Sequence, residues 1–251
     1  MLNIVMPMAG SGTRFKVMGG NEPKPLVKIH GIPMGVAAAL SMRPQREHRF
    51  IFLFLQEHID NYGIDVIFRK WFPHSVVIPI AEVTQGAACT VLKAKDFIDN
   101  TSSLMIANCD QWIGCDIDNY LKALDDYPEA DILVMTTSSN KPSHSYVKYD
   151  KYGCLVGMVE KEVVSDEATI GIYNCRYGKD WVWAAREMMR ENKRYKGEFY
   201  VAPAFNYLME RLRKHMITAR YENIYFLGIP QEVKDFLNQE VSEKIKEYQI
   251  D

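Results

Sequence analysis

The chain has 251 residues, of which 47% are apolar, so it is long enough to bury one large core. Its 30 lysines and arginines nearly balance its 32 acids, and the formal net charge of −2 excludes the basic surplus typical of a nucleic-acid partner. No apolar run approaches the length that spans a bilayer, and no charged leader precedes an apolar segment at the N-terminus, so we expect no membrane partner. The five cysteines form no Cys-x-x-Cys pair, and an odd number of cysteines without metal spacing predicts reduced thiols in a cytoplasmic protein.

The first half of the chain alternates apolar strand patterns with helical patterns. The predicted strands are 3–6, 50–55, 76–80, 104–107 and 131–136, and the predicted helices are 34–41, 57–72, 86–98 and 118–126. This alternation predicts an α/β fold with a mostly parallel, mixed central sheet flanked by helices. Ligands of such sheets bind at the carboxyl ends of the strands.

Beyond about residue 140 the strands become shorter. Predicted strands cover 146–149, 155–160, 169–175, 217–221 and 224–227, predicted helices cover 181–191 and 202–214, and an amphipathic helix covers 231–248. No linker rich in Pro, Gly or Ser separates this half of the chain from the first. We therefore expect a single domain over 1–251 with two parts, 1–140 and 141–251.

A glycine-rich stretch, Met-Ala-Gly-Ser-Gly-Thr-Arg-Phe, follows the first strand at residues 8–15. A buried strand that runs into such a loop gathers backbone N–H groups around phosphate oxygens, and Gly10 and Gly12 permit a tight turn and the close approach of a ligand. Arg14 adds a forked cation, and Lys24, between two prolines, adds a point charge on a stiff segment. The segment therefore predicts a polyphosphate site, against the alternative of a plain strand-to-helix turn.

The spacing of this loop differs from two better-known phosphate loops. A Walker loop needs Gly-x-x-x-x-Gly-Lys-Ser/Thr, and the dinucleotide fingerprint needs a third small residue where this chain has Phe15. Gly-x-Gly-Thr-Arg followed by Pro-Lys-Pro instead resembles the signature of the sugar nucleotidyltransferases. The resemblance implies a Rossmann-like nucleotidyltransferase fold, in which 1–140 binds the nucleotide and 141–251 binds the acceptor.

The same resemblance implies that Arg14 and Lys24 hold the triphosphate, with Lys24 on the α-phosphate under attack. The nucleotide contacts that it implies in the loop are Met8, Ala9, Gly10, Ser11, Gly12 and Thr13.

Gln85 and Gly86 lie between the third predicted strand and a helix. Gln85 can present a donor and an acceptor to the edge of a base, and Gly86 lets a flat base approach the backbone. The alternative is an ordinary helix start capped by Thr84. The resembled family contacts the base with a glycine-rich turn here, which implies both residues as nucleotide contacts.

The strand predicted at 104–107 runs on to Asn108 and Asp110. A lone Asp at a strand end is commonly a turn former, yet Mg²⁺ takes one or two carboxylates together with phosphate oxygens. The resemblance implies Asp110 as a catalytic Mg²⁺ ligand and Asn108 as a nucleotide contact. The nearby Asp116-Ile-Asp118 is similar to the Asp-x-Asp of nucleotide-sugar-dependent glycosyltransferases, but it precedes a helical run, so we expect Asp118 to cap that helix.

Glu160 and Lys161 end a predicted strand, and Gly171 lies on the next one. From spacing alone the first two would form an exposed ion pair of little energetic value. The resembled family lines its acceptor pocket with a Glu-Lys pair and a Gly-Ile-Tyr strand. The resemblance therefore implies that all three contact the acceptor, with Lys161 neutralising its phosphate.

One position departs from the family pattern. The family usually supplies a second metal-binding aspartate where this chain has Phe226. Either Asp110 alone anchors the Mg²⁺ or another acid substitutes. Glu198 is the candidate, for metal and for acceptor, although a first-turn acid favoured by the helix dipole is the alternative interpretation.

These patterns together predict an enzyme that joins a nucleoside triphosphate to a phosphorylated small molecule and releases pyrophosphate. The strings Gln-Gly-Ala-Ala-Cys-Thr, Ala-Asn-Cys-Asp-Gln and Gly-Glu-Phe-Tyr-Val-Ala-Pro resemble a branch from bacterial surface-polysaccharide gene sets that includes a cytidylyltransferase acting on phosphorylated L-glutamine. That branch implies CTP and phosphoglutamine, with a sugar 1-phosphate next, in capsule biosynthesis. A nucleotide-sugar-dependent glycosyltransferase and a non-catalytic nucleotide sensor are the alternatives, and a homo-oligomer is left open.

Overall fold

The computed structural model describes residues 1–10, 12, 15 and 22–248, and its strands and helices lie within that part of the chain. The strands are β1 (Leu2–Met8), β2 (Lys28–Ile29), β3 (Ile32–Pro33), β4 (His48–Leu55), β5 (Val76–Ile80), β6 (Ser103–Ala107), β7 (Gln111–Ile113), β8 (Ile132–Ser138), β9 (Ser145–Tyr149), β10 (Leu155–Glu160), β11 (Glu167–Cys175), β12 (Met216–Arg220) and β13 (Ile224–Phe226). The helices are α1 (Met34–Ser41), α2 (Gln56–Tyr62), α3 (Ile64–Trp71), α4 (Ala87–Leu92), α5 (Lys95–Ile98), α6 (Ile117–Asp126), α7 (Gly178–Arg190), α8 (Ala202–Leu212) and α9 (Pro230–Leu237). Two 3₁₀ helices cover Lys24–Leu26 and Glu240–Tyr248.

Within the described residues, nine strands form a mixed sheet whose main path is β10-β9-β11-β6-β1-β4-β5. β1 pairs in parallel with β4 and β6, and β4 pairs in parallel with β5. β11 is antiparallel to β6 and to β8, and β12 pairs in parallel with β8. Because β1 and β6 run in parallel, their carboxyl ends place Met8 and Asn108 at the same sheet edge.

Both faces of the sheet are covered, which explains the continuous apolar runs of its central strands. On one face, Phe50, Phe52 and Phe54 alternate along β4 and meet α3, where Phe68 lies 4.9 Å from the rings of both Phe52 and Phe54. On the other face, α7 and α8 pack a second buried cluster that contains Trp181. The sheet is thereby held rigidly behind its ligand-binding edge.

The structure confirms the predicted α/β fold with a mixed sheet and flanking helices. Strand 76–80 and helix 34–41 have the predicted bounds. The helix predicted over 57–72 is two helices, because Gly63 adopts the left-handed conformation at φ +57 between α2 and α3. The helices predicted over 86–98 and 231–248 are also divided, and β2, β3 and β7 are short strands that no sequence pattern indicated. No helix of the described chain is long and apolar enough to cross a membrane.

Candidate active site

A cavity of about 450 Å³ opens at the carboxyl ends of β1 and β6. Lys24 and Asp110, 86 residues apart in sequence, meet in its wall, where Nζ of Lys24 donates to Oδ2 of Asp110 at 2.5 Å. Their side chains are 21% and 27% exposed, so a ligand can reach both. The lining residues that were predicted from the sequence are Met8, Ala9, Gly10, Gly12, Lys24, Gly86, Asn108, Asp110 and Glu198.

Lys24 is held against the glycine-rich loop. It begins a short 3₁₀ helix that buries Pro25 and Leu26, so its backbone is anchored in the core. Its Cβ lies 3.5 Å from the place where a Cβ on Gly12 would stand, and its Nζ lies 5.7 Å from the ring centre of Phe15. The lysine therefore presents a fixed ammonium beside the loop.

Three predicted contacts of the loop, Ser11, Thr13 and Arg14, lie outside the described residues. Their assignments to the triphosphate stay predictions.

Asp110 is positioned by contacts with the C-terminal part of the chain. Its carbonyl oxygen accepts a hydrogen bond from the backbone N–H of Leu227 at 2.7 Å. A Cβ added to Gly228 would lie 3.3 Å from Oδ2 of Asp110 and 3.4 Å from Oε2 of Glu232, so Gly228 allows close approach between the chain and the carboxylate. Glu232 accepts from the N–H groups of Gly228 and Ile229 and so fixes this turn.

Glu232 was not selected from the sequence. The available signal was its place in the first turn of a helix that begins with Pro230, where an acid commonly accepts from free backbone N–H groups.

Gly171 lies behind the cavity wall and does not line it. The backbone N–H of Asn108 donates to the carbonyl of Gly171 at 3.0 Å, and a Cβ on Gly171 would lie 2.1 Å from Nδ2 of Asn108. Gly171 also has φ +82, which favours glycine. The observed effect of this glycine is therefore to leave room for Asn108, which lines the cavity.

Replacing Gly171 by alanine should lower the free energy of unfolding by at least about 2 kcal/mol, because the positive φ alone costs about 1–2 kcal/mol and Asn108 must also move. Gly153→Ala is the matched control, since Gly153 has φ +80 but open space around its Cα. Urea unfolding of both variants measures the difference. An equal decrease in the free energy of unfolding of the two variants would show that Asn108 moves aside without destabilising the protein.

The turn at Gly86 connects the cavity to a distant loop. A Cβ on Gly86 would lie 2.4 Å from the carbonyl oxygen of Phe199, and the N–H of Ala88 donates to that oxygen at 3.0 Å. This close contact brings Glu198 and Tyr200, the neighbours of Phe199, into the cavity lining. The aromatic ring of Tyr200 was not selected from the sequence, because no local pattern marks it.

Gln85 lies on the other side of the same turn. Its side chain lines a neighbouring cavity of about 720 Å³, and its Oε1 accepts from Nη2 of Arg194 at 2.5 Å. The structure therefore does not bring Gln85 together with Lys24 and Asp110, and its contact with a base stays a prediction.

The interpretation of Glu160 and Lys161 as an exposed ion pair is wrong. Glu160 is buried and accepts from Oγ of Ser145 at 2.6 Å, and its burial raises the pKa of its carboxyl. Lys161 points elsewhere: its Nζ donates to the hydroxyl of Tyr200 at 2.5 Å and lies 4.3 Å from the centre of that ring. Tyr200 thus connects Lys161 to the cavity.

Phe226, at the position of the family's second aspartate, pairs with Gln111 across β13 and β7 and stacks on His144 at 4.5 Å. No group of three or more His, Cys, Asp or Glu side chains in the described residues could hold a metal ion by itself. Asp110 and Glu198 nevertheless line one cavity. A donor set of one or two carboxylates fits Mg²⁺ that binds together with substrate phosphates.

Cys109 lies beside Asp110 and also lines the cavity. Burial, and secondarily the charge of Asp110, raise the pKa of its thiol to about 12. A thiol whose pKa is raised in this way is mostly protonated at neutral pH and is therefore a weak nucleophile.

The expectation that Asp118 caps its helix is wrong. The N-cap of α6 is Asp116, whose Oδ1 accepts from the N–H of Asp118 at 2.9 Å. Asp118 lies in the first turn, where its Oδ2 accepts from the N–H of Gln45 at 2.8 Å. Both acids therefore make structural contacts at the helix start.

A family model described as Nucleotidyl transferase matches residues 3–220 of this chain. No curated protein matches the sequence.

Solved structures that share the fold include three with the following similarity. A nucleoside-diphosphate-sugar pyrophosphorylase from Vibrio cholerae RC9 has a TM-score of 0.75 at 23% identity, covering 94% of this chain and 100% of that one. A UTP-bound UGPase from Acinetobacter baumannii has a TM-score of 0.74 at 14% identity, covering 98% of each chain. An inositol-1-phosphate CTP transferase from T. maritima has a TM-score of 0.72 at 14% identity, covering 98% of this chain and 95% of that one.

Proposed function

We propose that this chain, which belongs to the nucleotidyl transferase family, transfers the nucleotidyl group of a nucleoside triphosphate to a phosphorylated small molecule and releases pyrophosphate. The observation that carries the proposal is the ion pair of Lys24 and Asp110 in the wall of a cavity beside the glycine-rich loop. A cation and a carboxylate so placed suit a phosphate chain and a divalent cation respectively.

In the proposed reaction an ionised phosphate oxygen of the acceptor attacks the α-phosphorus in line. The new P–O bond forms as the bond to the β-phosphate oxygen breaks, and pyrophosphate leaves. Lys24 stabilises the charge on the α-phosphate, and Arg14 is assigned to the rest of the triphosphate. No general base is required, because the attacking phosphate is already ionised.

Asp110, with Glu198 as a second ligand, would hold Mg²⁺, which supplies neutralisation of charge on the phosphate oxygens. Lys24 pairs with Asp110 at 2.5 Å, so the ammonium and the carboxylate that would hold the cation lie side by side in the cavity.

We assign the nucleotide to residues 1–140 and the acceptor to residues 141–251. In the nucleotide half, Met8, Ala9, Gly10 and Gly12 of the loop, together with Gly86 and Asn108, line the cavity. In the acceptor half, the ammonium of Lys161 contacts Tyr200, which lines this cavity, and Glu160, bonded to Ser145, ends the strand that precedes Lys161.

We propose CTP with phosphoglutamine as the first substrate pair to test and a sugar 1-phosphate as the next, in capsule biosynthesis in the cytoplasm. The aromatic Phe226, in place of the family's second aspartate, supports an acceptor other than glucose 1-phosphate. The choice of CTP comes from the sequence resemblance, since the similar solved structures include both a UTP-bound enzyme and a CTP transferase.

A pyrophosphate-release assay over four nucleoside triphosphates and a panel of phosphorylated acceptors tests this proposal. We expect release to need both substrates, with the highest kcat/KM for CTP and phosphoglutamine. A preference for glucose 1-phosphate would overturn the assignment of phosphoglutamine as the acceptor but would leave the proposed reaction class unchanged. If no pair of nucleotide and acceptor released pyrophosphate, a nucleotide sensor would be favoured. Transfer of a sugar from a nucleotide sugar would favour a glycosyltransferase.

Replacing Lys161 by alanine should raise the KM of the acceptor and lower kcat/KM by about ten- to a hundredfold, because one charge-assisted contact to a phosphate is worth roughly 1.5–3 kcal/mol. The KM of the nucleotide should change little. Lys151→Ala, at an exposed turn of the same half, is the control. Steady-state kinetics with each substrate varied in turn measures the effect, and an equal rise in both KM values would contradict the assignment.

A further inference from the structure

A loop between α7 and α8, which we call the strap and which covers residues 192–200, has a defined shape of its own. Tyr195 and Glu198 exchange backbone hydrogen bonds, each at 3.0 Å. Between them, Lys196 and Gly197 both have positive φ values, +46 and +85, which is the arrangement of a tight two-residue hairpin turn. Glu198 therefore leaves the turn in a fixed direction, toward the cavity that it lines.

The strap is attached to the Gly86 turn through its backbone. The N–H of Phe199 donates to the carbonyl of Gln85 at 2.9 Å, and the carbonyl of Phe199 accepts from the N–H of Ala88 at 3.0 Å. The backbone of Phe199 lies so close to Gly86 that no other residue fits there. The strap and the turn thus form one unit at the edge of the cavity.

Arg194 adds side-chain contacts that hold the same unit together. Its guanidinium donates to Oδ1 of Asn192 at 2.6 Å, to the carbonyl of Gly197 at 3.0 Å and to Oε1 of Gln85 at 2.5 Å. It also lies 4.0 Å from the ring centre of Phe199. A guanidinium suits this task because its planar fork donates to several acceptors while its face stacks on an aromatic ring.

The opposite side of the strap reaches the acceptor lysine. The rings of Tyr195 and Tyr200 meet edge to face at 6.0 Å, and Nζ of Lys161 lies 6.0 Å and 4.3 Å from their centres. A displaced strap would therefore move Glu198 and Tyr200 and take the hydroxyl of Tyr200 away from Lys161. The Lys24–Asp110 pair has its own anchors on other elements.

We infer that Arg194 is a positioning residue, which holds the strap on the Gly86 turn and so presents Tyr200, with Lys161 bound to it, to the acceptor's phosphate. Gln85 acts through Arg194, as its side-chain acceptor. The inference rests on the proposed function in naming the phosphorylated acceptor as the bound molecule, whereas the attachment of the strap can be measured without turnover.

Two measurements test it on four variants: Arg194→Ala, Arg194→Lys, Gln85→Ala and the double variant Gln85→Ala/Arg194→Ala. Arg190→Ala is the control, because Arg190 is an exposed arginine at the end of α7 that pairs with Glu187. Circular dichroism first establishes that each variant is folded.

The first measurement is limited tryptic cleavage after Lys196, whose two bordering residues no variant changes, followed by mass spectrometry. We expect cleavage at this site to accelerate at least about tenfold in Arg194→Ala, less in Gln85→Ala, and not in the Arg190 control. Cleavage at the wild-type rate in Arg194→Ala would overturn the inference whether or not the protein is a nucleotidyltransferase.

The second measurement separates KM from kcat for each substrate. Arg194→Ala should raise the acceptor KM and lower kcat, together costing about tenfold or more in kcat/KM, with the nucleotide KM within about twofold of wild type. Arg194→Lys should not restore the wild-type kcat/KM, since an ammonium cannot bridge the three oxygen atoms that the guanidinium contacts. The kcat/KM of the double variant should be no lower than that of Arg194→Ala, as expected for two residues that act through one contact.

Two outcomes would reject the inference in favour of direct substrate contact. Full rescue by Arg194→Lys with no effect of Gln85→Ala would place Arg194 on the substrate's phosphate. A changed preference among the four nucleotides in Gln85→Ala, with an unaltered strap, would place Gln85 on the base.

Discussion

Replacing Lys24 by alanine is expected to lower turnover by at least about a hundredfold while leaving the fold intact. The ammonium is held by an anchored 3₁₀ helix and points into the cavity at Asp110, so it is preorganised for the charge that develops on the α-phosphate. One preorganised donor of this kind is worth roughly 3–4 kcal/mol in the transition state. Pyrophosphate release at saturating substrates measures the loss.

Lys28→Ala is the matched control, because Lys28 is exposed on β2 only four residues further along the chain. It should retain nearly full turnover. A Lys24→Ala variant with a normal circular dichroism spectrum and more than about a tenth of wild-type turnover would refute the assignment of Lys24.

Replacing Asp110 by asparagine is expected to abolish turnover, with a loss of at least about a thousandfold. The proposed role of Asp110 is to hold a divalent cation whose charge stabilisation is worth several kcal/mol, and asparagine keeps the shape of the side chain but removes its charge. The wild type should likewise need a divalent cation. Turnover measured against Mg²⁺ concentration, with chelator added and then removed, tests both expectations.

Asp118→Asn is the control for Asp110→Asn, since the two changes are chemically identical. Asp118 accepts a hydrogen bond from the N–H of Gln45, and asparagine can still accept it. The control should therefore remain active. If Asp118→Asn were inactive and Asp110→Asn only mildly impaired, the glycosyltransferase interpretation would be favoured.

The parts of the cavity that sequence patterns predicted are those formed by short stretches of chain at strand ends. Gly10 and Gly12 follow β1, Asp110 follows β6, and parallel pairing of these strands brings the stretches to one edge. Local chemistry was sufficient there, because the sheet topology follows from the alternation of strands and helices.

Other contacts could not be predicted because they join elements remote in sequence. Tyr200 reaches the cavity only because Phe199 lies on the Gly86 turn, and Glu232 lies near Asp110 only because of the close approach at Gly228. The partner of Gln85 is another such contact, because its side chain accepts a hydrogen bond from Arg194 on the strap, 109 residues further along the chain. Its contact with a base stays a prediction.

The sequence by itself determined the α/β class and selected Gly10, Gly12, Lys24 and Asp110, which line one cavity and to which we assign the phosphates and the cation. Only the tertiary structure decided which way the side chains near that edge point, with Glu160 buried on Ser145, Lys161 turned to Tyr200 and Asp116 capping α6. The physical reason is that strand and helix patterns depend on neighbouring residues, whereas side-chain direction depends on packing and hydrogen bonds between distant segments.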